Sequence, residues 1–197
     1  MTSFNIVLFD GFETLDAMGP AEVIGSLPDD YGLGYFSTGG GIAESRHKLM
    51  AQTLPFTAMD TDGILMIPGG VGTRPLLNDE KFMECLKALS EKAPYVLTVC
   101  TGSALLAKTG LLDGLRATSN KKAFEWAASY GMDVKWARKA RWVKDGKFYT
   151  SSGVSAGIDM TLGFIGDLHS METANTVAES IEYIWNPDPE NDPFAIK

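Results

Sequence analysis

The leading candidate for chemistry is a thiol standing where an apolar run breaks. Tyr95-Val-Leu-Thr-Val-Cys100-Thr-Gly-Ser-Ala-Leu-Leu-Ala107 places Cys100 between a buried strand and a helix. Residues Tyr95 to Val99 are short, aliphatic, aromatic or β-branched, the pattern of a strand covered on both faces. A helix N-terminus presents unpaired N–H groups and partial positive charge, which bias a thiol toward thiolate, the nucleophilic form. Cys100 is therefore the leading catalytic candidate. Cys85 falls on the helical stripe Phe82, Cys85, Leu86, Leu89 and reads as a small core hydrophobe.

Two other motifs compete. Gly69-Gly70-Val71-Gly72 follows a strand, but Thr73-Arg74-Pro75 stands where a dinucleotide fingerprint needs its third glycine. Bare glycine amides there can instead face a developing negative charge. Gly153-Val-Ser155-Ala-Gly157 has the form of a serine-hydrolase elbow, yet a triad needs an acid and then a histidine downstream, and the sole later histidine, His169, falls at a helix end. Ser155 reads as a helix cap. His47, between Arg46 and Lys48, reads as a solvated loop residue, since flanking cations oppose its protonation.

The elements that must position these groups alternate strand and helix. Strands are expected at Phe4 to Phe9, Tyr31 to Thr38 and Asp62 to Pro68, then at Tyr95 to Val99 and Leu115 to Thr118. Later strands are expected at Val134 to Ala137, Ala140 to Val143 and Phe148 to Ser151, with Asp145-Gly146 as a hairpin turn. Gly39-Gly40-Gly41 should end the second strand, and Ile42 to Pro55 has the broken polarity of a hairpin or irregular excursion. Pro20 suits the first turn of a helix running to about Leu27, so Asp16 should lie in or beside a loop at the carboxyl end of strand one. In an open α/β sheet that edge binds ligands. Further helices are expected at Asp79 to Lys92, from Cys100 to Thr109, and at Lys121 to Tyr130 capped by Ser119 or Asn120. Two more should cover Ser155 to Leu168 and Met171 to Trp185, the last stopped by Asn186-Pro187. The acidic tail Asp188 to Lys197 reads as a surface wrap.

With 197 residues and no linker or repeat, one domain spanning 1–197 is expected. Lys and Arg number 17 against 25 Asp and Glu, a net charge of −8 that argues against a nucleic-acid surface. The basic stretch Lys135 to Lys147 reads as a solvated hairpin face. No run approaches the ~20 apolar residues of a membrane span, and the N-terminus lacks a basic leader, so a cytoplasmic protein is expected. Two cysteines support neither a disulfide framework nor a metal site.

Taken together, Val7-Leu-Phe-Asp-Gly-Phe-Glu-Thr-Leu-Asp16-Ala-Met-Gly-Pro-Ala-Glu-Val23, Ile67-Pro-Gly-Gly70, Val99-Cys-Thr-Gly-Ser-Ala-Leu-Leu-Ala107, Gly110-Leu-Leu-Asp-Gly114 and Thr150-Ser-Ser-Gly-Val-Ser-Ala-Gly-Ile-Asp159 resemble the ThiJ/PfpI superfamily. The branch they are most similar to is that of the isonitrile hydratases, with an aspartate in the first loop and threonine after the cysteine. The protease-like branch carries histidine at that position; Thr101 stands there here. The resemblance implies a flavodoxin-like three-layer α/β sandwich with a mostly parallel central sheet and the cysteine at a nucleophile elbow, usually a homodimer. It implies Cys100 as nucleophile, Asp16 as acid/base, Thr101 beside them, and Gly69, Gly70 and Val71 around an oxyanion or substrate subsite. It implies a small-molecule substrate, with no cofactor, metal, nucleic acid or membrane. Many relatives carry histidine where this chain has Asn120, which leaves Asp16 as the obvious proton carrier. A carboxyl beside a thiolate should have its pKa raised by like-charge repulsion. The alternatives are glyoxalase or deglycase chemistry at the same cysteine, or a redox-sensing or ligand-binding module.

Overall fold

The computed structural model describes residues 1–27 and 29–195. Its centre is an eight-stranded sheet. The strands are β1 (Thr2–Val7), β2 (Tyr31–Ser37), β3 (Gly39–Glu44), β4 (Met50–Pro55), β5 (Ile64–Ile67), β6 (Val96–Thr98), β9 (Trp142–Asp145) and β10 (Phe148–Ser151), ordered β3-β4-β2-β1-β5-β6-β10-β9. The six inner strands run parallel, and β3 and β9 pair antiparallel at the two edges. The apolar runs become the central strands because both faces are covered: every residue of β5 and β6 is buried. A separate parallel pair joins β7 (Arg116–Ala117) to β8 (Lys135–Trp136).

The helices pack in two groups that flank the sheet. Helices α1 (Thr14–Gly25), α6 (Ala156–Leu168) and α7 (Met171–Ser180) pack together, as do α2 (Thr73–Leu76), α3 (Glu80–Lys92), α4 (Gly102–Lys108) and α5 (Phe124–Ala128). This is a flavodoxin-like three-layer sandwich. The chain leaves β1 for β2 on one side and returns to β5 on the other, so the strand order reverses between β1 and β5. In doubly wound sheets a crevice opens outside the strand ends at such a reversal.

Several expectations need correction. Helix α1 starts at Thr14, so Pro20 lies inside it rather than in its first turn, and Asp16 is helical. Pro20 has no N–H to give the Asp16 carbonyl four residues earlier, the helix bond that proline deletes. Gly39-Gly40-Gly41 does not end a strand but opens edge strand β3, with Gly40 and Gly41 at φ 73° and 94°. The region from 121 to 130 divides into a 3₁₀ turn at Lys121–Ala123, capped by Asn120, and the short α5. Helix α7 ends at Ser180, well before Asn186-Pro187, with Glu182 at φ 52° just beyond it.

The basic stretch is not a uniformly solvated face. Arg141 is buried, its Nε 2.6 Å from Asp159 Oδ2 and its Nη1 3.5 Å from Asp192 Oδ1. Lys147 Nζ donates to the carbonyls of Ser90, Glu91 and Ala93, which closes the C-terminal end of α3. The tail is correspondingly more than a surface wrap. Pro189 O accepts from the Arg141 amide and Asp192 N donates to Lys139 O, at 2.8 Å each. Ile196 and Lys197, at the end of that expected tail, lie outside the described residues.

Candidate active site

Cys100 sits between β6 and α4 with φ 58°, a left-handed backbone that costs a non-glycine residue on the order of 1–3 kcal/mol. The surroundings hold it there. Its N–H donates to Ser152 O at 3.0 Å, and its carbonyl accepts from Ser103 Oγ at 2.9 Å and Ser119 Oγ at 3.0 Å. The strand therefore ends in a sharp turn that aims the thiol at the reversal point of the sheet while α4 begins behind it.

Asp16 comes to the same place from the first turn of α1 and is fully buried. Gly69 N–H donates to Asp16 Oδ2 at 2.9 Å, and Glu13 N–H donates to Gly69 O at 2.8 Å, so the Gly69 peptide clamps the start of α1. A Cβ on Gly69 would stand 2.5 Å from Thr101 N and 2.9 Å from Asp16 Oδ2, which is why only glycine fits. Burial pushes the Asp16 carboxyl up to about 7, helped by the charge of Glu13; the Gly69 N–H and, more weakly, the Cys100 thiol pull the other way. Like-charge repulsion from a thiolate is thus not the cause. Burial is, and the neighbouring charge is Glu13. Oδ1 completes no hydrogen bond of full geometry, although the thiol and the carboxyl influence each other's titration.

The expected thiolate bias at Cys100 is also reversed. Burial pushes the thiol pKa far above its ordinary value, and the Asp16 charge adds to this. Three donors act against the shift: the Thr101 backbone N–H, the Asn120 carboxamide and the Thr101 hydroxyl. From the sequence Asn120 is a cap candidate and the residue that replaces a histidine; its contact with the thiol is not foreseen. Its Oδ1 is occupied by the amides of Lys122 (2.9 Å) and Ala123 (3.1 Å), which leaves the NH₂ group to serve the sulfur. The signal was the asparagine cap itself, which fixes one end of the carboxamide and frees the other.

The two glycines expected to line an oxyanion subsite have their N–H groups engaged. Gly69 serves Asp16, and Gly70 N–H donates to Thr101 Oγ1 at 3.0 Å. Both act through side chains they hold. The Thr101 amide remains directed at the sulfur, and Val71, half exposed, stands on the cavity wall.

A cavity of about 650 Å³ opens over Cys100 and Thr101. Ser155 also lines it. Its position at the start of α6 is as expected, but its hydroxyl makes no capping bond. His169 lies away from this cavity, its Nε2 2.8 Å from the Tyr31 hydroxyl, so no Ser-His arrangement forms. His47 is an exposed turn residue as expected, with Nδ1 3.1 Å from Thr14 Oγ1 and 3.5 Å from Glu13 Oε1, while Arg46 pairs with Glu13 at 3.0 Å. This cluster at the cavity mouth joins residues more than 30 apart and has no local sequence signal.

A cysteine on a strained strand-to-helix turn, with a buried carboxyl held beside it at the reversal of a doubly wound sheet, defines a cysteine-elbow α/β protein. The chain belongs to the DJ-1/PfpI family, which it matches over residues 3–166. It is 31% identical over 195 residues to the isonitrile hydratase of Pseudomonas putida, covering 96% of this chain and 84% of that protein. The structure of a ThiJ/PfpI family protein from Pseudomonas syringae superposes with TM-score 0.83 at 28% identity, over 98% of this chain and 77% of that one. Drosophila melanogaster DJ-1beta shares the fold, with TM-score 0.79 at 17% identity, over 93% and 99% of the two chains. Among the described residues no helix is long and apolar enough to cross a membrane.

Proposed function

We propose that the protein is an isonitrile hydratase-type lyase, adding water to R–N≡C to give an N-substituted formamide. The observation that carries this reading is the buried Asp16 carboxyl, protonatable near neutral pH, beside the Cys100 thiol. An isonitrile's terminal carbon accepts a proton and becomes electrophilic as it does so. The pair suits that order of events.

Protonated Asp16 gives its proton to the terminal carbon. As Cys100 Sγ bonds to the same carbon, the new Asp16 carboxylate takes the thiol proton. The net result is addition of S–H across that carbon, forming the thioimidate Enz–S–CH=N–R and restoring the Asp16 acid. Water then adds to the thioimidate carbon while Asp16 protonates the nitrogen and takes a proton from the water. Collapse of the tetrahedral adduct breaks the C–S bond, returns a proton to sulfur, and releases R–NH–CHO. A resting thiol is compatible with this sequence, because the proton leaves sulfur only as the C–S bond forms. Thr101 N–H and the Asn120 carboxamide support the negative charge that then develops on sulfur.

The same features disfavour a peroxide sensor, which works through an exposed, low-pKa thiolate. The test is formamide production from cyclohexyl isocyanide by wild type, Cys100→Ala and Asp16→Asn. Loss of at least 100-fold in each variant is expected; wild-type turnover in Cys100→Ala would remove the covalent route.

A further inference from the structure

The cavity over Cys100 has a charge opposite to that of the chain. The protein carries −8, yet four of its 17 Lys and Arg residues, Arg46, Arg74, Lys121 and Lys122, line this one cavity beside a single acid, Glu13. Two of the four are committed. Arg46 pairs with Glu13 at 3.0 Å, and Lys121 Nζ turns inward to Ala140 O (2.6 Å) and Thr118 Oγ1 (2.9 Å).

Arg74 and Lys122 are not. Neither forms an ion pair among the described residues. The Arg74 guanidinium lies 4.6 Å over the Trp126 ring, which steadies its plane and leaves its N–H edges to a ligand. Lys122 belongs to the 3₁₀ turn that Asn120 caps, so the residue serving the sulfur also fixes the segment bearing this ammonium. The wall of the same cavity also includes Val71, Val154 and Phe194. The cavity, about 650 Å³, is far larger than an isonitrile group needs. A concave site rimmed by one sign of charge focuses its field on ligands of the other sign.

We propose that the substrate carries a carboxylate on the substituent remote from its reacting carbon, received by Arg74 and Lys122 while the isonitrile end reaches Cys100. This rests on the hydratase reading for the identity of the reacting group, but the anion subsite stands on its own geometry. An acid-bearing isonitrile is hydrated to an N-formyl amino acid or a longer N-formylated acid.

The experiment compares isocyanoacetate with its methyl ester, two substrates that differ at the charged end. Wild type should favour the acid by about tenfold in kcat/KM at low salt, with the preference shrinking at about 0.5 M NaCl as screening shortens the reach of the cations. In Arg74→Gln/Lys122→Gln the ratio should fall to about one, chiefly through KM for the acid. Arg138→Gln, a cation paired with Glu125 outside the cavity, should keep the wild-type ratio. A wild-type ratio of one or less, or a ratio unchanged in the double variant, would overturn the proposal.

Calorimetric binding of N-formylglycine and its methyl ester separates the two readings. If neither isonitrile is turned over, the hydratase reading falls. Tighter binding of the acid that disappears in the double variant still supports the anion subsite, and equal binding of acid and ester overturns it.

Discussion

Asp16 and Gly69 are joined at 2.9 Å, amide to carboxyl, across the sheet's reversal point, and that bond spares one carboxyl oxygen from burial without a donor. The other oxygen, Oδ1, has no such relief. A carboxylate held this way is costly, and the cost is visible as pH dependence. The folded value of about 7 lies well above that of an ordinary carboxyl, so the folded state binds the proton more tightly than the unfolded one. The stability contributed by protonated Asp16 is fully present below about pH 4 and is lost as pH rises through about 7. Asp16→Asn removes this slope. Relative to wild type it should gain roughly 4 kcal/mol between pH 4 and pH 8, because the folded carboxyl keeps its proton up to about 7. Urea unfolding of both proteins at the two pH values measures it, and parallel pH dependences would count against the assignment.

Catalysis should follow the same proton. In the proposed mechanism the acid form of Asp16 starts the reaction, so kcat/KM for a neutral isonitrile should fall with an apparent pKa near 7 as the solution becomes alkaline. A profile flat from pH 6 to pH 9 would show that another group supplies the proton.

Thiol reactivity gives a third reading of the pair. Burial and the Asp16 charge both hold the Cys100 proton on, so alkylation by iodoacetamide at pH 8 should be at least tenfold slower than that of a free thiol. Replacing Asp16 with Asn removes the charge and should speed Cys100 labelling several-fold. Peptide mass spectrometry in a Cys85→Ser background follows it, and slower labelling in the Asn variant would contradict the electrostatic account.

Arg141 carries a structural prediction away from the thiol. It is buried with Asp159 and Asp192, while the Asn186 amide and the Trp185 indole also bond to Asp159. Arg141→Met strands two buried carboxylates and should cost about 3–5 kcal/mol in chemical denaturation. Combining it with Asp159→Asn and Asp192→Asn should recover much of the loss, since no unpaired charge then remains. A single variant as stable as wild type would mean the cluster is hydrated.

Much of this architecture was legible because buried parallel strands advertise themselves. The runs around Phe4, Ile64 and Val96 are mostly apolar, the mark of strands covered on both faces, and Asp79, at the start of the expected helix, caps α3 through Phe82 N. Misreadings arose where a residue has more than one use. Pro20 is a good helix starter, yet here it lies in the second turn of a helix already begun at Thr14. The glycines at 39–41 can end a strand or build a twisted edge. Cys100 and Asp16 could be named from the sequence, but the sign of the thiol's shift could not, because helix-end polarity is readable in a motif and depth of burial is not. The Asn120 cap is a local signal, but its meeting with the thiol, like the placing of Arg74 and of the Glu13, Arg46 and His47 cluster, depends on distant segments coming together, which short-range patterns do not encode.

The docked tail bears on how the protein comes to be active. Phe194 and Glu13 line the same cavity, and the Asp192 contact with Arg141 holds the Phe194 segment in place. During synthesis Asp16 and Cys100 have both been added by residue 100, but the wall against which a substrate must rest is not complete until residue 194 has emerged and settled. The thiol's own turn is likewise unfinished until Ser119, Asn120 and Ser152 are in place, so elbow and binding wall mature together, late, as the C-terminal segments settle.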